Sequence, residues 1–175
     1  MLGFGSSPLE LMARDAMLMG LVYLDEFTYS AAFITGTGTA LAANGTTRAQ
    51  IQINSDSDFI ACQYNLTSWS AAGTIIASPD YLITLTRSGS GRELMNQSQQ
   101  VSNFCGNYFN AAANSPGRLP ITSLYQGNGT LTVTLENRTA TASNRADFTM
   151  RGFKVFYQTN GRGQTGNRAE IFHAL

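Results

Sequence analysis

The feature that most constrains this chain is a period-two alternation near its C-terminal end, Leu131-Thr132-Val133-Thr134-Leu135. In an extended backbone successive side chains point to opposite faces, so this run sets three aliphatic groups on one side of a sheet and two threonine hydroxyls on the other. Phe153-Lys154-Val155-Phe156-Tyr157 is equally prone to extended structure, with Phe153, Val155 and Tyr157 sharing a face. Residues 137–147 between them are polar, too numerous for a two-residue hairpin and without the apolar stripe of a crossover helix. The expectation is two half-buried antiparallel strands that frame a long surface loop and close a β-sandwich.

Upstream segments carry the same signals. Strands are expected at residues 26–35, 48–54, 57–64, 74–77, 81–86, 93–101 and 119–124, with 68–73 a loop or short strand around Trp69. In 48–54, Ala49, Ile51 and Ile53 face one way and Gln50 and Gln52 the other. Residues 36–38, 54–56, 79–80 and 87–92 hold the turn formers, and 105–117 reads as an Asn/Ala/Gly-rich loop with a helical turn at 108–113. Pro120 cannot donate to a ladder, which suits an edge strand. Eight or nine strands without alternating helices favour an all-β antiparallel sandwich over any α/β fold. Strand number and long connections favour the jelly-roll type. An immunoglobulin-like sandwich would want a tryptophan well inside a cysteine pair, and Trp69 follows Cys62 too closely.

Three parts follow: an N-terminal arm over residues 1–24, the jelly-roll domain over 25–157 and an extended C-terminal tail over 158–175. Ser7 can cap a helix, Pro8 fits its first position and Glu10 completes a capping box, so a short helix should run to about Gly20. Its apolar face carries Leu9, Met12, Ala16 and Met19. That face either caps the sandwich or docks on a neighbouring protein, for which methionine's adaptability is suited. The tail, QTNGRGQTGNR followed by AEIFHAL, would be disordered alone, and another protein is expected to hold it.

Function classes are narrowed mostly by what is missing. Charged residues make up 13% of the chain and the formal net charge is zero, so no basic stripe points to nucleic acid or an anionic membrane. A balance near zero also promotes association. No run approaches the roughly 20 apolar residues of a spanning helix, and Glu10, Arg14 and Asp15 break any signal-peptide layout, so a product soluble and intracellular at synthesis is expected. Cys62 and Cys105 are expected as buried thiols rather than a disulfide or zinc site. Sequons at Asn44, Asn65, Asn96, Asn128 and Asn137 are what an Asn/Ser/Thr-rich chain produces by chance. The single histidine, His173, has no nucleophile motif to serve. Asp56 and Asp58 resemble half a calcium loop but fit strand-start turn chemistry better. Nothing in the spacing of Glu93, Glu136 and Asp147 forces a glycosidase pair, and Gly89-Ser90-Gly91 lacks the Lys-Ser/Thr of a phosphate loop. A non-enzyme without cofactor or metal is expected. Tyr64, Trp69, Tyr81, Tyr108 and Tyr125 lie beside Asn- and Gln-rich loops; closing the sandwich ends is their preferred role, and the sugar-binding mix they also form is the one basis for a lectin-like alternative.

Several segments together resemble the small single-jelly-roll capsid decoration, or cement, proteins of tailed bacteriophages. The resemblance spans residues 45–157 and rests on Asp56-Ser57-Asp58-Phe59, Tyr81-Leu82-Ile83-Thr84-Leu85-Thr86 with Ser88 to Leu94, Gly129 to Val133 with Glu136-Asn137-Arg138, and Phe148 to Phe156. It implies a structural virion protein on the outer surface of the head, a homo-oligomer, often a trimer, that bridges neighbouring major capsid protein subunits. The alternative is a carbohydrate- or receptor-binding module on a tail or head spike. The N-terminal helix and the tail fall outside the resemblance.

Overall fold

The computed structural model describes residues 8–18, 22–34, 41–76, 79–87, 95, 97–105, 117–157, 159–160 and 164–165. In chain order the elements are α1 (Pro8–Leu18), β1 (Val22–Ile34), β2 (Thr46–Gln52), β3 (Asp58–Ser70), β4 (Tyr81–Arg87), β5 (Gln99–Gln100), α2 (Val101–Phe104), β6 (Gly117–Tyr125), β7 (Thr130–Asn137), β8 (Ser143–Tyr157), β9 (Thr159–Asn160) and β10 (Gln164–Thr165). Eight strands form two four-stranded sheets, ordered β1-β8-β3-β6 and β2-β7-β4-β5, with every pairing antiparallel. The chain is therefore an all-β antiparallel sandwich. First strand pairs with last, second with next to last, and so inward: β1 with β8, β2 with β7, β3 with β6, β4 with β5. That nesting is compatible with the expected jelly-roll type. The C-terminal stretch carries the small β9–β10 ribbon, a local structure that its polar composition did not suggest.

The alternation of β7 becomes the middle of the second sheet. Leu131, Val133 and Leu135 are fully buried, and Ile51 from β2, Ile53 just after it and Tyr81, Ile83 and Leu85 from β4 join them. The first sheet answers with Tyr29, Ala31, Phe33, Phe59, Ala61, Tyr64, Leu66, Ala146, Phe148 and Met150. Edge positions obey the same chemistry: β6, with Pro120, lies at the margin of the first sheet.

Several expectations change: among the described residues of the expected 93–101 strand only Gln99–Gln100 pair, and Val101 opens α2, while β1 begins at Val22 rather than 26. The 137–147 segment is not a long loop, because β8 already begins at Ser143 and only residues 138–142 cross between sheets. Ala146 and Phe148 turn inward there, which a polar average over Asn, Arg and Asp neighbours conceals. Likewise β3 continues past Tyr64 to Ser70 and turns back in a three-residue hairpin ending at Gly73, whose φ of 77° is the left-handed conformation such a loop needs. Trp69 then bridges Ile75.

β3 also carries one extra residue, Cys62, between Ala61, opposite Gly152, and Gln63, opposite Arg151. This bulge switches which alternate residues face inward, from Phe59 and Ala61 before it to Tyr64 and Leu66 after it. The strands approach so closely that a Cβ on Gly152 would overlap the Ile60 carbonyl oxygen.

Candidate interaction surfaces

α1 lies on the outer face of the first sheet. Ala13 and Ala16, three residues apart on one helix face, are buried against Val22, Ile60 and Val155, with Leu24, Cys62, Leu124 and Tyr157 around them. Methyl side chains let the helix backbone come close to the strands. Of the four residues assigned to the apolar face, Ala16 is thus covered by the chain's own sheet and Met12 is half-buried. Met19 and the side chain of Leu9 lie outside the described residues. The open side of α1 carries Leu11 and Met17, 46% and 43% exposed, and Tyr23 at the start of β1 is 55% exposed.

The other end of the first sheet has its own apolar row. Ile34 stands opposite Arg145, Arg145 opposite Trp69, and Trp69 bridges Ile75. Ile34 and Ile75 are exposed, and the Arg145 guanidinium sits 5.2 Å from the centre of the half-buried Trp69 ring. Asp147 holds that guanidinium at 2.6 Å, and its hydrogen bond and charge raise the Arg145 pKa above its ordinary value. All five exposed large hydrophobic residues among those described lie at these two ends.

Asp56 and Asp58 have separate structural duties. Asp58 is buried and accepts from the Gly127 N–H at 2.7 Å and the Tyr157 hydroxyl at 2.7 Å. Asp56 accepts from the Ser57 hydroxyl and faces Lys154 Nζ at 3.3 Å. Desolvation opposes ionisation of Asp56, yet the Ser57 hydrogen bond and the Lys154 ammonium outweigh it and lower its pKa. The Lys154 side chain is only 8% exposed, and its ammonium stands 4.5 Å from the Phe27 ring centre and 5.9 Å from that of Phe156. Pattern reading gives this lysine no special place; its position on the inward face of β8, alternate to Val155, is the one signal that could have found it.

Three of the five loop-side aromatics are packed into the core: Tyr64, Tyr81 and Tyr125 are at most 2% exposed. The Tyr64 and Tyr125 hydroxyls share a hydrogen bond of 2.5 Å, and Arg87 lies 4.7 Å from the Tyr125 ring centre. Burial pushes both phenols above their ordinary pKa. Tyr108 lies outside the described residues, as do Glu93 and His173. Glu136 pairs with Arg138 on the second sheet while Asp147 pairs with Arg145 on the first, so the structure does not bring those carboxylates together. Neither cysteine forms a disulfide: Cys105 lies in the core between the sheets and Cys62 in the cluster under α1, and burial raises the Cys105 thiol. Asn137 is buried and fully engaged by Ala42, Thr139 and Thr141, while Asn44 and Asn128 occupy left-handed turn positions. Among the described residues there is no group of three His, Cys, Asp or Glu placed to hold a metal, and no helix long and apolar enough to cross a membrane.

No family model matches the chain, and no curated protein does. Among solved structures, a chain of the tripod from the baseplate of bacteriophage Tuc2009 is similar at 12% identity and a TM-score of 0.30, with 81% of this chain and 97% of that one covered. A likeness at that level decides neither fold nor function.

Proposed function

We propose that this protein is a non-enzymatic structural component of a tailed-phage particle, a cement protein that bridges neighbouring capsid subunits on the outside of the head. The observation that carries the reading is the division of exposed apolar side chains between two ends of one rigid sheet. Leu11, Met17 and Tyr23 stand at one end and Ile34 and Ile75 at the other. β1 alone separates Tyr23 from Ile34, a span of roughly 36 Å at about 3.3 Å per residue. A bridge needs two separated contact regions on a stiff body, and an enzyme or a simple sugar binder needs neither. The low charge and hydroxyl-rich surface fit a chain held in an assembly, and the sequence resemblance to decoration proteins points the same way. A homo-oligomer, often a trimer in such proteins, and the major capsid protein are the partners this reading requires.

The alternative, a glycan- or receptor-binding module, loses the three aromatics that the core has taken. Co-sedimentation with heads lacking the protein, run beside a glycan array, separates the two. Saturable binding to heads without glycan binding is expected; glycan binding without head binding would replace the cement reading by the other.

A further inference from the structure

At the end of the sandwich the β3 hairpin, the approach to β4 and the β7–β8 crossover enclose a half-open pocket of about 400 Å³. Its walls are Ala71, Ala72, Ile76, Pro79, Tyr81 and Ala142. Much of the polar chemistry at its margin is already engaged: Thr139 Oγ1 donates to Asn137 Oδ1 at 2.7 Å, and Ser70 Oγ is 2.7 Å from Thr74 Oγ1. The charged residue in the lining is Asp80. Its Oδ1 accepts from the uncharged Gln100 amide at 2.8 Å, and among the described residues no cation pairs with it. Arg138, whose backbone N–H donates to the Asp80 carbonyl at 3.0 Å, sends its guanidinium to Glu136 instead.

An apolar slot with a carboxylate at its side that no described cation pairs with is complementary to a group that is aliphatic along its length and cationic at its tip. We propose that this pocket receives a lysine or arginine side chain of a partner protein, the stem lying on the alanine and proline walls and the head at Asp80. Such side chains bury their methylenes readily while keeping the charge at the margin. The identity of the partner rests on the assembly reading above; the chemistry of the pocket does not.

The test uses the full chain, isotope-labelled and titrated at low salt with n-butylamine, n-propylguanidine, n-butanol and butyrate. The two cations should shift the amide signals of Ala71, Ala72 and Ala142 and bind about fivefold more tightly than n-butanol, the size of effect one exposed charge contact supports. Butyrate should bind most weakly. Asp80→Asn should bring cations and alcohol to parity, and Ala142→Phe, or Ala72→Leu if that variant does not fold, should abolish the shifts. Equal binding of butyrate and amine, or a cation preference that survives Asp80→Asn, would overturn the proposal. If the probes behave as expected but the protein does not bind heads, the cement reading alone fails.

Discussion

At the scale of single residues, three positions hold geometry that no pattern of hydrophobicity describes. Gly152 lies where the bulged β3 presses on β8, with no room for a side chain. Gly152→Ala should destabilise the fold by about 3 kcal/mol, the upper range for overpacking a closed site, and equilibrium denaturation would read it. Asn137 ends β7 and satisfies Ala42, Thr139 and Thr141 from one buried amide. Asn137→Ala removes four hydrogen bonds and takes the acceptor from the Thr139 N–H, which should cost about 2 kcal/mol in the same measurement. Asp56 sets a pH dependence. Its folded pKa is lowered, so its contribution is present above the unfolded value of about 3.9 and is lost as pH falls through the lower folded value. Denaturation midpoints from pH 2 to 6 should therefore show a shallower acid limb in Asp56→Asn than in the native chain. Neither Gly152 nor Asn137 stands out from the sequence, where one is a glycine in a strand-like run and the other a sequon. Their roles come from a strand approach and an inter-sheet crossover, both products of long-range pairing.

At the scale of elements, what was legible followed from period. β7, β2 and β4 alternate cleanly because each has one buried face, and Pro8 marks the start of α1 because proline fits a first helical turn. The first part of β8 and the far half of β3 are hard to read as strands because their solvent faces carry Asn, Arg, Asp and Gln and their inward faces include small residues. The aromatics beside loops admit two readings, because tyrosine serves equally at a surface and in a core where its hydroxyl finds a partner, as Tyr64 and Tyr125 do. α1 offers the sharpest test at this scale. Deleting residues 1–18 uncovers Val22, Ile60 and Val155, each a loss of about 1.5 kcal/mol or more of apolar burial, and the thermal midpoint should fall accordingly. The double variant Leu11→Ser, Met17→Ser touches only the exposed side and should leave stability within about 0.5 kcal/mol. If the open face of α1 contacts a capsid subunit, the same variant should lose affinity for heads. A stable variant with native head binding would remove α1 from the interface.

At the scale of the whole molecule, the antiparallel sandwich carries the exposed large hydrophobic residues among those described at the two ends of its first sheet. Fold does not by itself assign function; the two-ended distribution of exposed hydrophobic residues is what argues for a bridge. The most direct measurement is the position of the protein on the particle, read by gold-labelled antibody and electron microscopy of intact virions. Label distributed over the head surface, at sites between capsid subunits, is the predicted result. Label confined to the tail or its tip, or absent from the purified particle, would contradict the account.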